Sequence, residues 1–438
     1  MPDVSIQDGV DAYKRKDWNT ALCFFLALGH SDTVPAIRAL AWANVGRIYD
    51  ELGLVDEAHA SWRHAAAIDP SSSPALTNLG CAAVDFSNPE EASRYFRSVL
   101  SRDAKDANAW NGLATVEILK GNYAAALPFT ERALREDIDT TATHWNRALC
   151  LLALGQWEEG WKYYEKRWGL AKLKRVGPIG TGPMLQSIEQ AIGKTVLVLT
   201  EQGLGDNLMW ARCYSQLESL GVRLIIEAYP PLVELMKKQH WGKVIKLSDP
   251  FPPHDYQVFL GSLPGMLELS PENDPTPHPY IYAPKIELKR GSKPLVGLTW
   301  RGSMGHSNDK NRSAPMTFVP MLMDAIPQVE WCCVQKDEYP PVMMRDMREW
   351  LGNFWQSARM FNSLDAVVSV DSAPIHLAGA LSIPSVLISP KRIEWRWYRD
   401  IERLKSRWYA DTTIAPQDTQ GDWDSVIPKV VRWANERF

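Results

Sequence analysis

The chain contains no CxxC pair; its six cysteines are Cys23, Cys81, Cys150, Cys213, Cys332 and Cys333, and the adjacent last two lie in an apolar run. That pattern argues against a zinc ribbon or a disulfide frame and for reduced thiols in a reducing compartment. No run approaches the ~18 apolar residues of a membrane-spanning helix. The opening residues MPDVSIQDGVDAYKRKD lack the apolar core of a secretory signal. A cytoplasmic protein is expected. Charge of one sign is also missing: the net charge of −4 over 438 residues gives no excess of Lys and Arg to coat nucleic acid non-specifically. A full dinucleotide fingerprint is absent too. Gly203 and Gly205 follow a strand-like run, but Leu208 occupies the third glycine position of GxGxxG, so an NAD site is not indicated even though Glu227 ends the next strand as a ribose-binding acid would.

What the chain has in abundance is tryptophan, 19 residues, most of them read as large packing residues and a minority as a surface for sugars or partners. The first third repeats. Trp42, Val45-Gly46, Tyr49, Gly53, Ala58, Trp62 and Ala65 are followed by Leu76, Leu79-Gly80, Ala83, Ala92, Phe96 and Val99, then by Trp110, Leu113-Ala114, Gly121, Ala126, Thr130 and Ala133, and last by Leu151, Gly155, Gly160 and Tyr164. The anchors Ala58, Ala92, Ala126 and Gly160 recur every 34 residues. An earlier, looser unit carries Ala21 and Phe25. Each unit reads as two antiparallel helices, with Gly46, Gly80, Ala114 and Ala148 where the helices press together, aromatics toward the next hairpin, and Gly53, Gly121 and Gly155 in the turns. One hairpin cannot bury its apolar face alone, so the units must stack. The period resembles that of tetratricopeptide repeats, whose arrays bind peptides or brace a neighbouring domain. Both roles remain open.

Residues 169–193 mix Gly, Pro and basic residues with weak periodicity and read as a connector. From residue 194 strand and helix alternate: TVLVLT, then a glycine-bearing turn, a helical run from Leu208 and VRLIIEA form one βαβ unit. After a proline-rich stretch at 250–294, PLVGLTW, VEWCCVQ, AVVSV and PSVLISP mark a second block. Two such blocks predict two Rossmann-like lobes, with ligands at the carboxyl ends of their strands.

Four segments there carry chemistry. In Glu201-Gln202-Gly203-Leu204-Gly205-Asp206-Asn207, Asp206 opens a helix, and two roles fit it: helix cap or catalytic base. In Asp371-Ser372-Ala373-Pro374-Ile375-His376 a strand gives way to a helix with proline in its first turn, so free amides could seat a diphosphate. There Ser372 could add a hydroxyl and His376 either a donor or a packed ring, while Asp371 would tie loop amides or a ribose hydroxyl. The polar loop after Trp300 holds Arg301, His306, Lys310 and Arg312, cations suited to a diphosphate leaving group. The basic, aromatic segment 392–409 reads as a phosphate or acceptor contact or as a structural brace.

Taken in order, GQWEEGWKYYEKRW, TEQGLGDNLMWARCY, GLTWRG, NDKNRS, VSVDSAPIHLAGALSIP, EWRWYRD, SRWY and GDW span most of residues 155–425. The ordered set resembles tetratricopeptide-repeat proteins that carry a heptosyltransferase-like glycosyltransferase domain (family nine). The resemblance implies an α plus α/β chain: a helical array over 1–168, a connector over 169–193, and a GT-B domain with lobes at 194–290 and 291–438. It further implies a nucleoside-diphosphate sugar as donor, no required metal or cofactor, and inversion at the anomeric carbon. By motif match the base falls on Asp206, supported by the Gln202, Gly203 and Gly205 loop. The donor site falls on Asp371, Ser372, Ala373 and His376, with Arg301 and Arg312, and with Gln335 at the end of a strand lining the nucleotide pocket. The acceptor is left open among glycan, protein and nucleic acid. Two rival readings are an inactive repeat-bearing adaptor and a nucleotide-sugar epimerase on the same fold.

Overall fold

The computed structural model describes residues 6–86, 88–136, 140–170, 179–305, 308–341, 343–397, 399–400 and 404–438. The chain divides into two compact units, 1–150 and 151–438. The second therefore begins ahead of the expected limit at 168.

The first unit is a helical array. Its helices are α1 (Ile6–Lys14), α2 (Trp18–Gly29), α3 (Pro35–Glu51), α4 (Val55–Ile68), α5 (Ser73–Asp85), α6 (Pro89–Leu100), α7 (Ala107–Leu119) and α8 (Tyr123–Arg135), followed by α9 (Thr141–Ala153), which runs across the division. Short connections pair them into hairpins, and each hairpin shows why the repeat keeps its small residues. Gly46 of α3 faces Trp62 of α4, where a methyl group would fall 2.3 Å from the indole nitrogen. Gly80 of α5 faces Phe96 of α6, and Gly112 of α7 presses on the same ring from the next hairpin. Trp62 and Phe96 thus each fill their own hairpin and pack on the next, Trp62 against Leu79 and Ala82 of α5 and Phe96 against Gly112 and Leu113 of α7. The anchors Ala58, Ala92 and Ala126 are fully buried. The turn glycines are required by conformation: Gly53 and Gly121 adopt φ of 75° and 79°. Each closes its helix with a pair of backbone bonds, such as Leu54 N–H to Tyr49 O at 2.8 Å and Gly53 N–H to Asp50 O at 2.9 Å. Asn146 of α9 donates to Asn111 and Thr115 of α7, both at 2.9 Å, tying consecutive repeats.

The second unit opens with α10 (Trp157–Tyr164) and holds two sheets. The first comprises β1 (Thr195–Leu199), then α11 (Leu204–Trp210), α12 (Arg212–Ser219), β2 (Arg223–Ala228), α13 (Val233–Lys237), β3 (Lys243–Lys246), β4 (Tyr256–Phe259) and α14 (Leu263–Met266). Its four strands are parallel in the order β3-β2-β1-β4. The second comprises β5 (Leu295–Thr299), α15 (Asp309–Arg312), α16 (Phe318–Ala325), β6 (Glu330–Cys333), β7 (Arg345–Asp346), α17 (Phe354–Phe361), β8 (Ala366–Val370), α18 (Ala373–Ala380), β9 (Ser385–Ser389), β10 (Arg399–Asp400), β11 (Lys405–Ser406), β12 (Thr412–Pro416) and α19 (Ile427–Arg437). Its order is β10-β11-β12-β9-β8-β5-β6-β7, parallel except for the two pairs that β11 makes. The central strands β5, β8 and β9 are buried along their whole length. That explains their unbroken Val, Leu and Ile runs, since parallel strands are covered on both faces.

Strand order reverses beside β1 in the first sheet, between β1 and β4, and beside β5 in the second, between β5 and β8. Such reversals open a crevice at the carboxyl ends of the strands. Three of the four segments singled out in the sequence follow β1, β5 and β8, and the fourth follows β9. The described part of the connector is ordered: Leu185 and Pro183 exchange backbone bonds with Gln257 of β4, at 2.8 and 3.0 Å. Within the expected long loop after β5, residues 309–312 form the single turn α15.

Candidate functional site

The turn after β1 is held from behind. Glu201 is buried (3 % exposed) and pairs with the fully buried Arg167 through Nη2 at 2.8 Å and Nε at 3.1 Å. The Gly261 N–H also donates to it, at 2.7 Å. Burial disfavours the Arg167 charge, but Glu201 and Glu165 outweigh it and raise its pKa, as a buried pair with its remaining valences satisfied requires. Gln202 sits at φ 56°, an unusual conformation for a residue with a side chain. It is fixed there by Tyr229, whose hydroxyl donates to the Gln202 carbonyl at 2.8 Å, and by its own amide, which donates to the Tyr164 hydroxyl at 2.7 Å. Asn207 donates to the carbonyls of Glu201 and Gly203, at 2.9 and 2.8 Å.

Asp206 stands in the first turn of α11. Its Oδ2 accepts from the Gly203 N–H at 3.0 Å, the reach-back of a capping box. Its Oδ1 accepts from Arg396 Nε at 2.5 Å. The cap role is therefore realised in this state, together with an ion pair that the sequence did not reveal. The same Arg396 donates through Nη2 to Gln202 Oε1 at 2.8 Å and through Nη1 to Glu394 at 2.5 Å, and it lies over the Trp395 ring at 4.4 Å. Burial works against the Arg396 charge, but Asp206 and Glu394 more than restore it. Burial raises the Glu394 carboxyl to about 7; Arg396 pulls it down, and Asp371 and Asp206 push it further up.

On the other sheet, Ser372 precedes α18 in an extended conformation and Pro374 lies in its first turn. Asp371, Ser372, Ala373 and Pro374 are half-buried. The Ser372 hydroxyl donates to the Val370 carbonyl at 3.3 Å. Arg312 reaches the Asp371 carbonyl with Nη1 at 2.9 Å, bringing α15 to this turn. His376 is buried (4 % exposed), stacked on Trp397 at 4.7 Å and within 3.1 Å of the Tyr409 hydroxyl through Nδ1. Burial lowers its pKa to about 4, against the pull of Asp371 and Asp206, so it is a neutral packed ring in this state. It packs directly on Gly205. That contact brings the starts of α11 and α18 together.

Gln335 is buried, and its Oε1 accepts from the amides of Trp300 and Arg301 at 3.3 and 3.0 Å, so it fixes the start of the loop after β5. Arg301 pairs with Glu338, which also accepts from the Trp300 indole at 2.8 Å. His306 lies outside the described residues. Glu227, the acid at the end of β2, is buried and accepts from the Thr200 N–H at 3.0 Å, a bond between neighbouring strand ends.

The segment around Arg396 braces the unit. Trp395 and Trp408 pack with Trp210 of α11 and with Trp157, Trp161 and Tyr164 of α10, edge to face in most pairs, at 5.3–6.3 Å. Arg396 sits at the edge of this nest, where it joins the two sheets. Among the described residues no cluster of three or more His, Cys, Asp or Glu is placed to hold a metal ion, and no helix is long and apolar enough to cross a membrane.

A tetratricopeptide-repeat family model matches residues 77–141, in accord with the hairpins of the first unit. The chain is similar to protein FlbA of Caulobacter vibrioides, 21% identical in an alignment 473 positions long that covers 88% of this chain and 77% of that protein. Among solved structures it is similar to PilW, a type IV pilus biogenesis factor (22% identity, 39% of this chain and 77% of that one, TM-score 0.34). It is also similar to a thermophilic repeat protein of Thermus thermophilus (22% identity, 38% and 90%, TM-score 0.33).

Proposed function

We propose that the second unit is an inverting glycosyltransferase of GT-B architecture, moving a sugar from a nucleoside-diphosphate donor to a hydroxyl of an acceptor. The observation that carries this reading is the meeting of two helix starts, each following a strand at a sheet's reversal point: α11 with the Asp206 carboxylate and α18 with the half-buried residues Ser372 and Ala373 at its start. The diphosphate sits on the α18 amides, with Arg312 and Arg301 balancing its charge. Asp206 removes the acceptor proton as the acceptor oxygen attacks the anomeric carbon. The bond to the diphosphate breaks on the opposite face, and its electron pair leaves with the phosphate oxygen. The neutral His376 supports the turn from below. The transfer needs no metal, so a chelator leaves the rate unchanged. The repeat array holds a peptide or protein partner, and the acceptor is a macromolecule presented by it.

The test is a panel of nucleoside-diphosphate sugars, with mass spectrometry of the released nucleotide. General-base catalysis contributes about 10²–10⁴ in rate, so Asp206→Asn lowers turnover by that order without loss of donor binding. Undiminished turnover in that variant removes Asp206 from the mechanism. One observation favours a second reading, an adaptor without turnover: both Asp206 oxygens are engaged, by Gly203 and Arg396. Tight peptide binding to the repeats with no donor binding would select it.

A further inference from the structure

Three carboxylates, Asp206, Asp371 and Glu394, lie near the two helix starts where the proposed reaction puts a diphosphate, and Glu394, raised chiefly by burial, is pushed further up by the other two. Bare acids there would repel such an anion. The cations differ in how they are used. Arg301 pairs with Glu338. Arg312 leans on Asp309 at 3.5 Å and on the Asp371 carbonyl. Arg396 alone among these three touches the proposed base, and it does so with a hydrogen-bonded pair at 2.5 Å.

Its setting suits a side chain that changes partners. The neighbours Trp395 and Trp397 are only 2 % and 1 % exposed, so the backbone on either side is anchored. The Arg396 side chain keeps 14% exposure, and that of Asp206 keeps 19%. The bonds to Asp206, Gln202 and Glu394 occupy three of its N–H groups of the five a guanidinium carries. A phosphate offers the planar fork more charge and a bidentate match, the geometry for which arginine is best suited.

Resting on the glycosyltransferase reading above, we propose that Arg396 is a donor-gated clamp on Asp206. Without donor the guanidinium holds the carboxylate; an incoming diphosphate draws it away, and the base is released only once the donor is seated. Gln202, tied to Tyr164, keeps the turn in place during the exchange.

The probe is inorganic pyrophosphate, titrated calorimetrically into the full-length protein. Removing the competing charge releases Arg396 from one of its two ion pairs, so Asp206→Asn binds pyrophosphate about 10-fold more tightly than wild type, the scale of one charge-assisted hydrogen bond. Arg396→Gln binds about 10-fold more weakly on the same scale. In the double variant the tightening from Asp206→Asn disappears, because it acted through Arg396. Arg396→Lys, which keeps the charge but cannot span Asp206 and Gln202 together, also weakens binding and guards against misfolding of the glutamine variant. Equal tightening with and without Arg396 would reduce the effect to simple repulsion and overturn the clamp. So would unchanged affinity in both Arg396 variants. If neither wild type nor Asp206→Asn binds pyrophosphate, the donor site itself fails, and the glycosyltransferase reading with it.

Discussion

Gly205 lies against the imidazole of His376: a methyl group added to it would fall 2.7 Å from Cδ2 and 3.3 Å from Nε2. The ring cannot swing aside, because Trp397 stacks on it and Tyr409 holds Nδ1. Gly205→Ala therefore forces α11 and α18 apart. Overpacking of this kind typically costs about 1–3 kcal/mol, to be read from the urea midpoint. A variant as stable as wild type would show that the two helix starts are not closely packed.

The pair Arg167–Glu201 supports the same turn from within the core. Truncating one partner leaves a buried charge uncompensated, about 3–5 kcal/mol. Arg167→Met should lose stability on that scale, and Arg167→Met combined with Glu201→Gln should recover much of it. Additive losses in the double variant would mean that the two side chains are not coupled.

His376 sets a pH dependence. Its folded pKa is lowered to about 4 by burial, whereas an unfolded imidazole titrates near ~6.5. Between those values the unfolded chain binds a proton that the folded chain refuses. The contribution is full above about pH 6.5 and is lost as the pH falls toward 4. Asp371 and Asp206 face the ring and temper the shift, while Arg396 and Arg212 add to it. The stability gap between wild type and His376→Gln should narrow on acidification from pH 7.5 to 4.5. A gap constant across that range would mean that the ring is already accessible to protons.

In the array two glycines do different work. Gly53 has φ of 75° and open space where a side chain would be; Gly80 is helical and pressed on Phe96 at 2.7 Å. Gly53→Ala pays only the left-handed backbone strain, about 1–2 kcal/mol, and Gly53→Asn less. At Gly80 alanine meets a steric block, and valine should be worse still. An alanine at Gly80 no more costly than one at Gly53, in thermal melts, would contradict the packing.

The division at 150 predicts different fates for two fragments. Residues 151–438 keep Trp157, Trp161, Tyr164 and Arg167 and should fold. Residues 169–438 lose all four, stripping the tryptophan nest and leaving Glu201 without its arginine. Cooperative unfolding of the shorter fragment, seen by circular dichroism, would show that α10 is dispensable.

Much of this architecture is readable from residues alone. The 34-residue step exposes the hairpins because every unit meets the same packing problem. The strands β1, β2, β5, β8 and β9 announce themselves as apolar runs because both faces are covered. The short edges β3 and β7 stay hidden: Lys243–Lys246 and Arg345–Asp346 are partly solvated and carry no apolar pattern. In the site, Asp206 and the 371–376 turn stand out by their positions at strand ends. Arg396 does not, although it lies inside the EWRWYRD match. Its partner is 190 positions away, and no local spacing reports such a pairing. Gln335 and His376 fall near the expected strands, but their bonds brace the loop and the helix in this state. Tyr164 and Arg167 read as part of the repeats because their helix keeps the repeat spacing, while their side chains serve the turn below β1.

The fixed 34-residue step has an evolutionary corollary. Because Ala58, Ala92 and Ala126 occupy equivalent places, excising or duplicating one whole step presents each surviving hairpin with the kind of neighbour it already had. The array can thus be lengthened or shortened by whole modules without new interfaces having to be invented, whereas a deletion of any other length scrambles every small-against-large match downstream of it.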